Sequence, residues 1–524
     1  MKTKKLYIEV LSLLPLLYLF TFLLLTGCDD KLDIVPKGQS TLETVDDLEL
    51  LLNKDIELGL PYSDLSIICN ECFGQMTSVP TVLSQTNTLE YAYLSYDENV
   101  NRANLSQTDD RYTNAYKTIN AMNTIIDKAP GASGSESKRK QIIAEAHIMR
   151  AYLHWLLVNI YARQYDATTA ATDGGIAYVK SESVFADNPK LTVQEVYDNI
   201  LADCSDEYIN ALPERNDDVL RGDQAWGNAV RAKVLMQMKR YADALPYALK
   251  SIDLNETIED RSAIVDAGDW ILDRQAPDNL VYIGGMIGPF MECLSKETAD
   301  KFEAGDYVLY HAYMFGQKPG SGEDNGDDED GDDEDGDDEE WDAKPRAAKS
   351  SDAAMGKKAF ADDNFDASGM AWNSLYGEIT TGVSGSLMYY AMGSWVNFYG
   401  ITSDRMYYTA AECLIRTGEI QKGMDLVNKV REKRIDAEHY APLTATDEAS
   451  AMAAMQEAKW IECIDTYENF FDCKRWNTEK AYKRTITRDL GDYGTFSIAP
   501  DSKLWILPFP LQATRKNASL TNNY

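Results

Sequence analysis

Apolar residues spaced for helices, with small residues at regular intervals, constrain this chain more than any other feature. From Ser137 to Tyr161 the apolar positions Ile142, Ala146, Met149, Leu153, Leu156, Leu157 and Ile160 recur at three and four, which lays one stripe along a long helix. Asp110 to Lys128 repeats that spacing with Tyr112, Tyr116, Ile119 and Met122 or Asn123. Thr192 with Glu195 forms a capping box, in which each side chain satisfies a backbone N–H that the first turn leaves free. It predicts a helix running through Val196, Ile200 and Tyr208 to Leu212-Pro213. Ala225 to Met238 and Tyr241 to Ile252 predict two helices joined by a short turn. Ser403 to Arg416 and Glu419 to Arg434 repeat the design, with Gly418 in the turn. Ala229, Ala232, Ala244, Ala248, Ala410 and Ala411 let paired helices approach closely. The spacing is like that of tetratricopeptide repeats, although the full signature is absent. Leu280 to Ile283 predicts a short buried strand, and glycines from Gly284 to Gly288 and Gly382 to Gly385 mark loops.

The start of the chain has a different character. Lys2, Lys4 and Lys5 precede a nearly all-apolar run from Leu6 to Leu25, in which Glu9 is the only charge. Leu25-Thr26-Gly27-Cys28 follows, the lipobox pattern of small residues before a cysteine. Residues 1–27 therefore read as a signal peptide, with Cys28 as the lipid-bearing residue of the mature chain. A retained spanning helix is the alternative, because the apolar run is about as long as a bilayer crossing requires. Each buried CH₂ contributes about 0.8 kcal/mol, so two or three acyl chains anchor stably where one does not. No second stretch is comparably apolar.

Charge and motif content narrow the function. The net charge of −34 excludes nucleic-acid partners. Glu323 to Glu340 holds 14 acidic residues and no basic one, and Gly326, Gly331 and Gly336 each precede Asp-Asp-Glu. Like-charge repulsion without apolar residues predicts a disordered insertion over 319–345. Calcium binding is the alternative for that tract, since carboxylates are hard ligands, but the register does not fit an EF-hand loop. Of the eight cysteines, one is Cys28 and the other seven are an odd number, which does not suggest a fully paired disulfide framework. Cys69 and Cys72 form a lone CxxC, read as structural. His147 and His154 share a helix face and read as core or surface residues rather than a metal pair. No phosphate loop, HExxH or GxSxG is present, so no catalytic constellation stands out and no cofactor is expected.

Many of these residues together resemble the SusD/RagB outer-membrane nutrient-binding lipoproteins of the Bacteroidetes. Leu32-Asp33 and Pro36 are similar to the family's opening. Glu145-Ala146, Arg150-Ala151-Tyr152 and Leu157 through Tyr161 resemble its Glu-Ala-x-x-x-Arg-Ala-Tyr helix, and Val193 through Pro213 its next segment. Arg405, Tyr408, Ala411-Glu412, Gly418, Asn428 and Arg431 follow a further pattern. Phe471-Asp472-Cys473-Lys474-Arg475-Trp476 resembles Phe-Asp-Leu-x-Arg-Trp, and Leu507 through Pro510 with Asn517, Leu520, Asn522 and Tyr524 its closing segment. Asp465 through Glu468 departs from the family's Glu-x-Gly, Asp306-Tyr307-Val308 from its Asp-x-Arg, and the acidic tract is an insertion.

The resemblance implies a mainly α fold, with tetratricopeptide-like helix pairs as scaffold and a loop-rich region with few short strands, over one SusD-like domain spanning 28–524. It also implies a non-catalytic protein, lipid-anchored and exposed at the outer membrane, that captures oligosaccharides and delivers them to a SusC-like TonB-dependent transporter. Peptides or glycoprotein-derived ligands are the alternative cargo, and an enzyme is a further one. Sugars need aromatic platforms and a few polar partners, so the candidate binding residues are the aromatics of predicted loops: Tyr93, Tyr96, Tyr313, Trp341, Trp372 and Tyr376. Core packing is the competing role for each. Trp155, Trp226 and Trp476 belong to motif-bearing helices and are assigned to structure, while Lys239 and Lys429 are expected to be exposed on the helix pairs. Cys28→Ser should move the protein from the membrane fraction to the soluble one; a variant that sediments with membranes as the wild type does overturns the lipobox reading.

Overall fold

The computed structural model describes residues 42–75, 79–183, 185–263, 274–286, 291–307, 313–314, 383, 386–390 and 395–524. The signal segment, Cys28 and the acidic tract lie outside them. Nine helices of nine or more residues occur among the described residues: α1 Asp110–Lys128, α2 Glu136–Tyr161, α3 Val193–Asp203, α4 Gln224–Gln237, α5 Tyr241–Leu254, α6 Ser403–Arg416, α7 Ile420–Arg431, α8 Glu448–Glu462 and α9 Glu468–Trp476. Side chains that accept from first-turn N–H groups set most of the starts: Asp109, Ser135, Thr192, Asp223, Thr402 and Asp447. The capping box of Thr192 and Glu195 is complete. α5 and α7, the second helix of each pair, begin straight from a tight turn with no side-chain cap. Gly418 adopts φ +90 in one of those turns. In the other, Lys239 takes the left-handed conformation at φ +60, which is uncommon for a side chain of that size.

The helix expected to run to Leu212-Pro213 is two helices, α3 and the shorter Asp206–Ala211. The break has an electrostatic cause. Arg231 from α4 donates to the carbonyls of Cys204, at 2.8 Å, and Leu201, at 3.2 Å, which satisfies acceptors that a helix end leaves free. Ser205 is then extended and restarts the chain. The strand expected at Leu280 to Ile283 is Asn279–Val281, antiparallel to Ile401–Thr402.

α2 is the central rod, and nearly all its residues from Ala144 to Tyr161 are buried. α1, α3 and α4 pack against it, while α5 joins α4 to α6, and α6 carries α7 and α8. The alanines expected at helix contacts are fully buried. Gly423 is a further small contact: a Cβ there would meet Ile415 Cγ1 at 2.6 Å, so α7 sits closer to α6 than alanine permits. Strands are short. The largest sheet has four, in the order Cys72–Gln75, Met291–Leu294, Leu387–Tyr390, Tyr313–Met314, all antiparallel. One hydrophobic core runs from Val45 to Leu520 and includes Trp155, Trp226 and Trp476.

Charged residues also lie inside. Glu145 accepts from Arg221 and from the Gly222 N–H, and Asp203 takes a paired contact from Arg150 at 2.7 and 2.8 Å. Deeper still, Glu412 of α6 receives Arg475 of α9 at 2.6 and 2.7 Å, and Arg475 also reaches Asp472 at 2.8 Å. Lys459 of α8 contacts Asp472 at 2.5 Å and Glu468 at 3.4 Å, and Lys233 of α4 contacts Glu468 at 2.8 Å. Burial opposes ionisation of Glu468, but Lys233, Lys459 and Arg405 outweigh it and hold the carboxyl at about 2. Lys429 is exposed on α7, as expected, while Lys239 is half-buried at its turn. Lys239 Nζ donates to Thr478 at 3.1 Å, and Lys429 Nζ donates to the Tyr407 hydroxyl at 3.0 Å and lies over its ring. The long Lys239 side chain folds back from its turn onto a neighbour, so charge alone did not place it fully in solvent.

The two α2 histidines have separate partners. His147 Nδ1 meets Asp203 at 2.8 Å, and its ring stacks on Tyr208. His154 is fully buried, donates from Nδ1 to the Arg150 carbonyl at 2.8 Å and accepts the Val179 N–H on Nε2 at 3.0 Å. Both ring nitrogens are thereby committed to the neutral imidazole, and burial pushes its pKa down from 6.5 to about 3. The unfolded chain then binds the proton first as pH falls. The contribution of neutral His154 is complete above about pH 6.5 and erodes towards pH 3, at roughly 1.4 kcal/mol per pH unit. Between pH 7.5 and 5 the wild type should lose about 2 kcal/mol more stability than His154→Gln, read from urea midpoints; equal losses count against this assignment.

Candidate functional site

The cleft is built on a C-terminal hairpin. Ile486–Asp489 and Thr495–Ile498 pair antiparallel in register, Ile486 opposite Ile498 and Asp489 opposite Thr495. Gly491 and Gly494 supply the positive φ values, +59 and +108, that close the loop. Strand alternation buries Ile486 and Arg488 and turns Thr487 and Asp489 outward. The Arg488 guanidinium donates to the carbonyls of Leu94 at 2.7 Å and Tyr93 at 3.0 Å, to that of Ile67, and to Asn70 Oδ1 at 3.0 Å. It therefore locks the hairpin to the N-terminal part of the chain.

Asn70 is the hinge of the arrangement. It sits at φ +66, a conformation that asparagine tolerates, and is buried. Its Oδ1 accepts from Arg488, while its Nδ2 donates to Glu297 at 3.0 Å. Glu297 belongs to the short helix Lys296–Ala299, which Ser295 caps and ties to the Asn70 carbonyl at 2.6 Å. Lys301 at 3.1 Å and Arg484 at 2.5 Å also reach Glu297. Burial opposes its charge, but Lys301 and Arg484 outweigh burial and hold its pKa below the ordinary value. Between this helix and the hairpin lies an open cleft of about 410 Å³, with Phe73 and Leu490 among its apolar lining and Lys296, Asp300, Thr487 and Asp489 among its polar lining. Such a space offers polar partners for hydroxyl groups, while its apolar lining belongs to the core.

Two of the aromatic candidates are core residues instead. Tyr93 is 4 % exposed and lies in the helix Leu89–Leu94, not in a loop. Tyr96 is 6 % exposed, and the Arg488 guanidinium sits 4.2 Å above its ring. Both side chains turn inward because the Arg488 anchor draws this segment against the hairpin. Tyr313 falls on the edge strand Tyr313–Met314. Trp341, Trp372 and Tyr376 lie outside the described residues. The aromatic that sequence reading missed is Tyr493, 38 % exposed on the hairpin turn three residues beyond Leu490. Its signal is legible afterwards: Gly-Asp-Tyr-Gly between two alternating runs is a hairpin turn that displays one ring. Cys69 and Cys72 are buried free thiols, and burial, with Glu71 nearby, pushes Cys69 well above its ordinary value. Among the described residues no cluster of three or more His, Cys, Asp or Glu side chains is placed to hold a metal, and no helix is long and apolar enough to cross a membrane.

Comparison with known proteins bears on this geometry. Residues 32–226 match a SusD-like family model described as "starch-binding associating with outer membrane". Over these residues the sequence is similar to that family. The likeness in fold extends over nearly the whole length. A SusD superfamily protein from Bacteroides thetaiotaomicron is 15 % identical with a TM-score of 0.61, over 92 % of this chain and 100 % of that one. One from Bacteroides vulgatus is 12 % identical with a TM-score of 0.61, over 92 % and 99 %. A SusD-like carbohydrate binding protein from Bacteroides vulgatus is 12 % identical with a TM-score of 0.56, over 92 % and 98 %. No curated protein matches by sequence. The mainly α, helix-pair architecture expected from the resemblance is the one observed. The SusD-like sequence motifs fall on the buried ion pairs Glu145–Arg221, Arg150–Asp203 and Glu412–Arg475, so in this chain they encode scaffold rather than ligand contacts. Tyr96→Ala should cost about 3 kcal/mol of unfolding free energy without any ligand present, measured by urea denaturation; an unchanged midpoint means that the ring is not part of the core.

Proposed function

We propose that this protein is a surface carbohydrate-binding lipoprotein that captures oligosaccharides and passes them to a SusC-like TonB-dependent transporter, without catalysis. The observation that carries the reading is the starch-binding SusD-like pattern over residues 32–226, set in a fold shared with a carbohydrate binding protein over 92 % of this chain. Lipid on Cys28 supplies the attachment to the outer membrane in this proposal. The cleft beside the hairpin is a ligand surface consistent with it, and Tyr493 is proposed as an aromatic platform on the hairpin turn. Trp341, Trp372 and Tyr376 are proposed as further platforms on the segment 315–382, and the acidic tract as a solvated insertion with calcium as its alternative ligand. No cofactor is invoked. Capture alone needs only burial of sugar faces and hydrogen bonds to hydroxyls, which a rigid scaffold with polar clefts provides.

The full-length chain in detergent, titrated by calorimetry against maltoheptaose, a panel of other oligosaccharides and a peptide library, should bind a saccharide and release no hydrolysis product. Binding to peptides with no saccharide bound selects the alternative cargo, and reducing-end release from a bound saccharide overturns the non-catalytic reading.

A further inference from the structure

The charges around the hairpin cleft depart from those of the chain as a whole. The protein carries a net −34. The cleft lining holds Lys296, Arg484 and Arg488 against Glu297, Asp300 and Asp489, and Lys301 adds a cation just behind. Glu297 is already neutralised by Lys301, Arg484 and Asn70. Asp489 accepts the Gly491 N–H at 3.0 Å. Arg488 differs from the other buried arginines of the ion network. It is 1 % exposed, and its named partners are three carbonyls and an amide, with no carboxylate within ion-pair distance among the described residues. A buried cation without a counter-charge carries an electrostatic cost that a nearby anion offsets. Arg488 lines the cleft beside the buried Phe73 and Leu490, a surround that screens its charge poorly. Lys296 on the rim is exposed, and Arg484 is half exposed at 46 % of its side chain, so both are available for direct contact.

We propose that this cleft binds an acidic saccharide, one carrying carboxylate or sulfate groups. The proposal rests on the carbohydrate-binding reading above and deepens it. Lys296 and Arg484 contact the anionic substituent, and Arg488 supplies long-range attraction without contact. Thr487 and the carboxylates of Asp300 and Asp489 accept or share hydrogen bonds with ring hydroxyls. Tyr493, 38 % exposed on the hairpin turn, offers its ring to a sugar C–H face.

The test uses full-length protein in detergent and calorimetry with four probes: tetragalacturonate, its methyl ester, a sulfated tetrasaccharide, and maltotetraose. Tetragalacturonate or the sulfated probe should bind at least roughly tenfold more tightly than the two uncharged probes. Raising salt from about 50 to 300 mM should weaken that binding several-fold. Lys296→Glu and Thr487→Asp, both at exposed positions, should each weaken it by roughly tenfold with unchanged thermal unfolding, while Lys516→Glu, outside the lining, should leave it unaltered. Equal binding of charged and uncharged probes overturns the acidic preference and leaves the carbohydrate reading standing. Tight binding of an acidic probe that Lys296→Glu and Thr487→Asp do not disturb overturns the cleft as its site. Binding of none of these four probes, while another saccharide of the panel binds, overturns the acidic ligand alone; no saccharide binding at all overturns both readings.

Discussion

The ionic cluster around Glu468, Asp472 and Glu412 is the constraint from which the remainder of the fold follows. It gathers Lys233 from α4, Arg405 and Glu412 from α6, Lys459 from α8, and Asp472 and Arg475 from α9. Removing any one partner would strand a charge in a medium that solvates it poorly, and the cost of that is several kcal/mol. Replacing the whole cluster by apolar groups need not destabilise the protein, so its value lies in specification more than in net stabilisation. Helix pairs built from alanines and leucines can slide past one another by a turn at little cost. Bidentate contacts such as Arg475 to Glu412, at 2.6 and 2.7 Å, cannot. The cluster therefore fixes the register in which α9 docks across the helix pairs.

Once α9 is fixed, the hairpin that follows it has a determined exit. Trp476 Nε1 donates to Glu412 at 3.1 Å, and the chain leaves towards Ile486 from that point. Arg488 then ties the hairpin to Ile67, Tyr93 and Leu94, and Asn70 relays the contact to Glu297. Scaffold and cleft are thus joined through a set of charge-assisted hydrogen bonds, which holds the short strands and turns around the cleft in place.

The sequence made the scaffold legible and the cleft nearly illegible, for different physical reasons. α1 and α2 were readable because period-three-and-four spacing and caps such as Asp109, Ser135 and Thr192 are local signals. The break after Asp203 was not, because it depends on Arg231, distant in sequence, taking the Cys204 carbonyl. Tyr93 and Tyr96 look like loop aromatics until Arg488, nearly 400 positions later, draws them inward. Lys239 looks exposed because local pattern does not show that Thr478 receives it. Tyr493 had a local signal, the glycine-flanked turn, and was the one site feature open to sequence reasoning.

This division is in keeping with a fold that holds at identities of 12 to 15 %. In this chain the recognisable positions, among them Glu145, Arg150, Glu412 and Arg475, are 4 % exposed or less and are spent on one another. None lines the cleft. Substitutions at Lys296, Thr487 or Asp489 touch solvent on one side and make no contact with the ionic cluster, so the chemistry of the cleft can change without disturbing helix register. The same separation makes the cleft's charge balance, three cations against three carboxylates, informative. In a chain with 85 acidic and 51 basic residues, chance alone favours carboxylates at any solvent-facing position. No scaffold requirement calls for lysine at 296 or arginine at 484 beyond the contacts to Glu297 that Lys301 already makes. Cations gathered there beside an unpaired buried guanidinium are most simply accounted for by what they face in the open cleft.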